Sequence, residues 1–285
     1  FQLLIAPLVS AIAAGNTAML KPSELSSATA SLVTKLINDH FESREFACFE
    51  GDASISEALL KLPFDHIFFT GSPKIGKLIM EAAAKHLSSV TLELGGKSPV
   101  IIAGDANLEK AAEKIVWGKY MNSGQTCIAP DYVLVKAEQE QDFIRLASEK
   151  IDQLYLKNNI LDRTSYGKII SSGHYDRLKE LRNRAVEEGA CIVKGGADSD
   201  EDHTLEPTIL NKVSLSSAIM QEEIFGPLLP VITYSSIQEA IDLVNKRAKP
   251  LALYIFSGSD SLVQDTIRQT SAGGTCVNDV VLHIS

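Results

Sequence analysis

An α/β architecture with largely parallel sheets is the fold class this sequence predicts. The first observation is that short apolar, strand-like runs alternate with helix-period segments almost throughout the chain. The second is composition: 45% hydrophobic and 22% charged residues mark a soluble, globular chain. The third is length, because 285 residues suffice for two lobes with a sizeable core.

The opening "FQLLIAPLVSAIAAG" is an apolar helical pattern. Gln2, Pro7 and Ser10 interrupt it, so it is too short and too broken to span a bilayer, and it lacks the basic flank of a signal peptide. "NTAMLK" reads as a strand, 26–41 as a helix, "FACFEG" as a strand and 54–60 as a short helix. "HIFFT" is the next strand, and the helix over 73–87 opens with Ser72 as N-cap and Pro73 as first helical residue. "VTLEL" follows, and "GGKSP" then breaks the pattern with two glycines and a proline, which marks a lobe boundary. The lobes are therefore taken as 1–97 and 98–278, with 279–285 the start of a further segment. In the second lobe "SPVIIA" leads to a helix over 108–120, "YVLV", and helices over 138–156 and 167–188. "CIVKGG", "PTIL", "PLLPVITY", a helix over 237–246, "LALYIF", a helix over 262–270 and "GTCVN" complete it. The acidic "DSDEDH" reads as a solvated loop. Phe1 lies inside a helical pattern and "NDVVLHIS" stops mid-domain, so both ends read as cuts in a longer polypeptide.

A formal net charge of -9 disfavours nucleic acid and anionic membrane surfaces as partners. Cys48, Cys127, Cys191 and Cys276 lie far apart with no CxxC pair, which argues against a disulfide framework or a zinc cluster and suits a reducing compartment. The six histidines show no metal-binding spacing, so no metal site is expected.

Four stretches carry chemistry. In "FFTGSPKIG", Gly71 and Gly76 flank Ser72 and would let a phosphate approach a helix N-terminus, although a capped helix serves any α/β sheet equally well. In "MLKPSE", Lys21 and Glu24 at a strand's carboxyl end suit a sugar–phosphate ligand, with a solvated ion pair as the plainer reading. In "VTLELGGK", alternation puts Glu93 opposite Leu92 and Leu94, on a strand that should be apolar on both faces. A carboxylate buried there would have a raised pKa and suit a general base; an edge-strand glutamate in solvent is the alternative. In "NSGQTCIAP", Cys127 stands alone in a polar bend between a helix and a strand; taken by itself, an ordinary buried thiol is the plainer reading.

Together "LELGGKSP", "NSGQTCIAP", "MLKPSE", "FFTGSPKIG" and "MQEEIFGP" resemble the aldehyde dehydrogenase superfamily, in the family's order and over essentially the whole chain. "GQTCIAPDY", "PFDHIFFTGS" and "KPLALYIFS" look most like the branch that holds the dimeric class 3 and fatty aldehyde dehydrogenases. The resemblance implies a Rossmann-like cofactor lobe and an α/β catalytic lobe, both truncated at the chain ends. It implies NAD(P)-dependent oxidation of aldehydes to carboxylic acids, with NAD as the expected cofactor, NADP as an alternative, and medium- to long-chain aliphatic or aromatic aldehydes as substrates.

By the same resemblance, Cys127 matches the nucleophile that forms a thiohemiacetal and then a thioester, and Glu93 matches the base that activates the hydrolytic water. Lys21 and Glu24 resemble adenosine-ribose contacts, and Ser72 a pyrophosphate contact, with Gly71, Gly76 and Leu94 counted beside it. Glu223 resembles the nicotinamide-ribose ligand and Phe225 the residue that shapes the ring's position. Cys48, Cys191 and Cys276 read as packing residues in apolar strands. A homodimer is implied for the intact protein. Some relatives carry a membrane tail, which leaves localisation between the cytoplasm and a membrane surface. The family's asparagine oxyanion donor falls upstream of Phe1. A truncated scaffold that binds nucleotide or partners without turnover is therefore the alternative reading.

Overall fold

The computed structural model describes residues 1–282 and divides into two compact units, Phe1–Leu94 and Gly95–Ser285. The segment assigned from the sequence to 279–285 lies outside the described residues from 283 onward.

The first unit runs α1 (Gln2–Ala13), β1 (Ala18–Leu20), α2 (Ser27–His40), β2 (Phe46–Cys48), α3 (Ala53–Leu59), β3 (His66–Gly71), α4 (Pro73–Ala84) and β4 (Ser89–Leu94). β1 and β2 pair in parallel, as do β3 and β4. On α2, Ala30, Val33 and Ile37 recur at helical spacing and are buried; Val33 and Ile37 share a small core with Leu8, Leu20, Phe46 and Cys48. Asn38 completes the edge of β2, its side chain bonding both the Cys48 amide at 3.0 Å and the Cys48 carbonyl at 3.1 Å. On α4 the buried stripe is Gly76, Ile79 and Ala83.

The second unit runs β5 (Pro99–Ile102), α5 (Leu108–Tyr120), β6 (Tyr132–Lys136), α6 (Glu140–Tyr155), the hairpin β7 (Leu156–Lys157) and β8 (Ile160–Leu161), and α7 (Ser172–Glu187). It continues with β9 (Cys191–Lys194), the hairpin β10 (Asp198–Ser199) and β11 (Thr204–Leu205), β12 (Thr208–Asn211), β13 (Leu228–Tyr234), α8 (Ile237–Asn245), β14 (Ala252–Phe256), α9 (Asp260–Gln269) and β15 (Gly274–Val277). Seven strands form one sheet in the order β15-β14-β5-β6-β13-β12-β9, parallel except for β9 against β12. Alternate residues feed opposite cores: Val100, Ile102, Val133 and Val135 meet α5 and α6, while Ile101, Tyr132 and Leu134 meet α7 and α8. A sheet covered on both faces explains why its central strands read as continuous apolar runs.

Three expectations need correction. Glu93 is exposed, because β4 pairs only with β3 among the described residues and its faces are incompletely covered; the burial expected for it is not found. Cys191 is exposed on the edge strand β9, whereas Cys48 is buried. The acidic stretch is not a simple loop: it forms the β10–β11 hairpin, with Asp200 accepting from Tyr175 at 2.7 Å and Arg163 donating to Asp202 at 2.8 Å.

Candidate active site

Cys127 follows a turn that the backbone does not adopt readily. Asn122 (φ 52°), Ser123 (φ 53°) and Gly124 (φ 73°) are consecutive left-handed residues, a conformation that is unfavourable for the first two. The surroundings compensate. Asn122 Nδ2 donates to the Gln125 carbonyl at 3.0 Å, and Ser123 Oγ donates to the Gly167 carbonyl at 2.6 Å. At Gly124 any Cβ would collide with the Gly226 carbonyl oxygen, so only glycine lets the two backbones meet. After the cysteine, the Ala129 amide closes a turn on Thr126 O at 3.0 Å, and Tyr254 Oη donates to the Ile128 carbonyl at 2.5 Å. Cys127 is left half-buried against the core beneath α5 and α6. The turn also borders a cleft of about 280 Å³ whose walls include Trp117, Met121, Asn122, Tyr155 and Tyr166.

Glu223 and Phe225 sit on the loop before β13. Phe225 is itself left-handed at φ 47°. Glu223 is half-buried with its carboxylate packed over Gly95, where a Cβ would strike both of its oxygens. Burial, and then the Asp131 carboxylate, push the Glu223 carboxyl up to about 7, against the Gly96 amide, Lys97 and Arg177. Arg177 holds the loop from α7, donating to the Ile224 carbonyl at 2.6 Å and the Glu223 carbonyl at 3.4 Å. Arg247 donates to the carbonyls of Met220 and Leu215.

Three charged residues that the sequence reading passed over lie in this region. Lys97 donates to a carboxylate oxygen of Asp131, to Ile219 O at 2.8 Å and to Glu222 O at 2.8 Å; the other Asp131 oxygen accepts from the Ile224 amide at 2.8 Å. Lys119 is fully buried, and desolvation lowers its pKa to about 8, with Asp131 and Glu223 opposing that shift and Lys97 adding to it. A signal for Lys119 existed: it continues the buried stripe Ala111, Ala112, Ile115, Val116 along α5, where a charge is out of place.

In the first unit, Lys21 Nζ and Glu24 form an ion pair of 2.7 Å just beyond β1. The Lys21 hydrogen bond is the main reason the Glu24 carboxyl lies below its usual range. Ser72 caps α4, its Oγ accepting from the Ile75 amide at 3.4 Å. Gly76 is buried, and a Cβ there would lie 2.9 Å from the Leu94 side chain, so the glycine lets α4 lie close on β4. At Gly71 a Cβ would meet the Phe69 ring. Lys21, Glu24, Ser72 and Glu93 thus lie at carboxyl ends of strands, whereas Cys127 and Glu223 precede strands β6 and β13. The first unit also fits an anionic, ribose-bearing ligand: a cation–carboxylate pair follows one strand and a capped helix start follows another.

A model of the aldehyde dehydrogenase family matches residues 1–284. The putative aldehyde dehydrogenase AldX of Bacillus subtilis is 45% identical over 100% of this chain and 64% of its own length. The dimeric NADP-preferring aldehyde dehydrogenase of Rattus norvegicus is 42% identical over 100% of this chain and 62% of its own. A solved structure described as the substrate-bound state of Staphylococcus aureus AldH superposes with a TM-score of 0.96 at 45% identity, covering 100% of this chain and 61% of that one. The chain therefore spans about three-fifths of the length of these relatives.

Proposed function

Because the chain belongs to the aldehyde dehydrogenase family, we propose that the protein oxidises aldehydes to carboxylic acids with NAD(P) through covalent attachment at Cys127. The observation that carries this reading is the strained turn at 122–124, held by hydrogen bonds on several sides, that presents a half-buried thiol between a helix and a strand. Strain maintained in this way is a mark of a functional site.

Cys127 Sγ adds to the carbonyl carbon and gives a tetrahedral thiohemiacetal. Bound NAD(P) supplies the hydride acceptor that a thioester-forming oxidation requires. Glu93 then takes a proton from the water that adds to the thioester carbon. The C–S bond breaks, the carboxylic acid departs and the thiol is restored. Lys21 and Glu24 hold the adenosine ribose, and Ser72, beside Gly71, Gly76 and Leu94, receives the pyrophosphate. Glu223 accepts from the nicotinamide ribose, with Phe225 beside the ring. On this reading 1–97 is the cofactor domain and 98–278 the catalytic one. NAD is preferred, because the Glu24 carboxylate would repel a 2′-phosphate.

The aromatic cleft that begins at Trp117 suits medium- to long-chain or aromatic aldehydes. A homodimer follows the relative whose name says dimeric. Four free cysteines suit a reducing compartment, which supports the cytoplasm or a membrane surface facing it as the location. No helix among the described residues is long and apolar enough to cross a membrane. No observation favours the scaffold alternative. The test is Cys127→Ala in the natural polypeptide: aldehyde-dependent NADH formation should vanish while NAD affinity stays near normal. Unchanged oxidation would overturn the reading.

A further inference from the structure

We infer that the buried Lys97–Asp131 pair is a positioning device that locks the Cys127 segment and the Glu223 loop into one register. The inference rests on the aldehyde dehydrogenase reading of those two residues.

Strand order makes the pair possible. β5, β6 and β13 are neighbours and parallel, with Pro99 opposite Tyr132 and Val133 opposite Val231. The segments that enter them, 95–98, 127–131 and 219–227, therefore lie side by side at the amino ends of these strands. Each brings one part of a single knot. Lys97 enters just before β5, and its side chain is only about one-tenth exposed. Asp131 follows Cys127 by four residues and is almost wholly buried. The third segment contributes backbone alone: the Ile219 and Glu222 carbonyls accept from Lys97, and the Ile224 amide donates to Asp131.

Three donor positions on Lys97 meet three acceptors, and both Asp131 oxygens are used. The backbone on either side of Glu223 is thus tied to the carboxylate four residues past the thiol, Ile224 N directly and Glu222 O through the Lys97 ammonium. The Ser98 carbonyl reinforces the register by accepting from the Asp131 amide at 2.8 Å. A buried ion pair is weak evidence for stability, because desolvation offsets its attraction; fixing one arrangement is its better attested use. Neither side chain is placed on the reacting atoms here. They act through the residues they hold.

Geometry makes the test sharp. Asparagine at 131 can accept from Lys97 or from the Ile224 amide, but its second atom is a donor, so it cannot serve both. Lys97→Met, Asp131→Asn and the double variant are to be made in the natural polypeptide. Two measurements are read: amide hydrogen exchange over 219–226, and single-turnover NADH formation at saturating NAD beside the KM for aldehyde. Each single variant should speed exchange of the Ile224 amide at least tenfold, with α5 and β6 unchanged. Each should slow the single-turnover step about 10²-fold with little change in KM. In the double variant no charge is stranded and the asparagine oxygen is free for Ile224, so it should recover part of what Lys97→Met loses.

Wild-type exchange and hydride-transfer rates in the folded single variants would overturn the inference, as would a double variant equal to the sum of the singles. If Lys97→Met fails to fold, the double variant and Asp131→Asn decide. If the wild-type protein forms no aldehyde-dependent NADH, the functional reading fails, and the exchange data still decide whether the pair holds the loop.

Discussion

The side chain of Gln125 is closed onto the chain at Ile170: its Oε1 accepts from the Ile170 amide at 2.9 Å, while its Nε2 donates to the Lys168 carbonyl, also at 2.9 Å. A single amide thus ties the turn two residues before Cys127 to the segment that leads into α7. Gln125→Ala would leave that amide and carbonyl to water or unpaired, at a cost of about 1–3 kcal/mol, and would release the left-handed residues 122–124. Thermal unfolding should show the loss, and aldehyde oxidation should fall about 10²-fold with NAD affinity unchanged. Gly124→Ala should be worse, because the left-handed φ alone costs roughly 1–3 kcal/mol and the added Cβ meets the Gly226 carbonyl. Wild-type kcat in both variants would show that the turn does not position the thiol.

Glu93→Gln separates the two half-reactions. Glutamine keeps the shape but cannot accept the proton from water, a loss on the order of 10²–10⁴ in rate. Stopped-flow traces should show a burst of NADH followed by a slow steady state. Deacylation at the wild-type rate would remove Glu93 from the role.

Glu24 should bear on cofactor choice. Its carboxyl lies below the usual range, chiefly through the Lys21 hydrogen bond, so it is ionised at neutral pH. An anion there should favour NAD over NADP, and Glu24→Gln should narrow the preference. The ratio of kcat/KM for the two cofactors measures it; a ratio that does not move removes Glu24 from the ribose site.

Glu223 predicts a pH dependence of both stability and cofactor binding. Its folded-state pKa of about 7 stands above the 4.5 of a free glutamate, with burial the leading cause. The folded state holds the proton more tightly than the unfolded state. Its contribution to stability is therefore full below about pH 4.5 and is lost as pH rises through about 7, a swing of up to about 3 kcal/mol. Denaturant melts of the wild type and Glu223→Gln should diverge over that window, with the variant flatter. NAD affinity should rise over the same window, because only the ionised carboxylate is a pure acceptor for ribose hydroxyls. Parallel pH profiles for the two proteins would count against both statements.

How much of this was legible in the sequence depended on distance along the chain. Local signals read well: the periodicity over 108–120 matches α5 (Leu108–Tyr120), and Ser72 caps α4 where Ser-Pro announces a helix start. The helix expected over 167–188 begins later, at Ser172, because Ser171 caps it and 167–170 is committed to Ser123 and Gln125. The burial expected of Glu93 was not found, because alternation assigns a residue to a face without saying whether anything covers that face.

Apolar periodicity, turn residues and quoted motifs therefore determined the α/β class, the element order and the residue types proposed to carry the chemistry, since each arises within a few residues. The left-handed turn before Cys127, the raised pKa of Glu223 and the meeting of Lys97 with Asp131 and Ile219 were decided only by tertiary structure. Lys97 meets Asp131 and Ile219 across 34 and 122 residues of chain. These contacts exist because β5, β6 and β13 became neighbours and excluded water from the charges between them, and desolvation is a property of the folded sheet, not of any stretch of the chain.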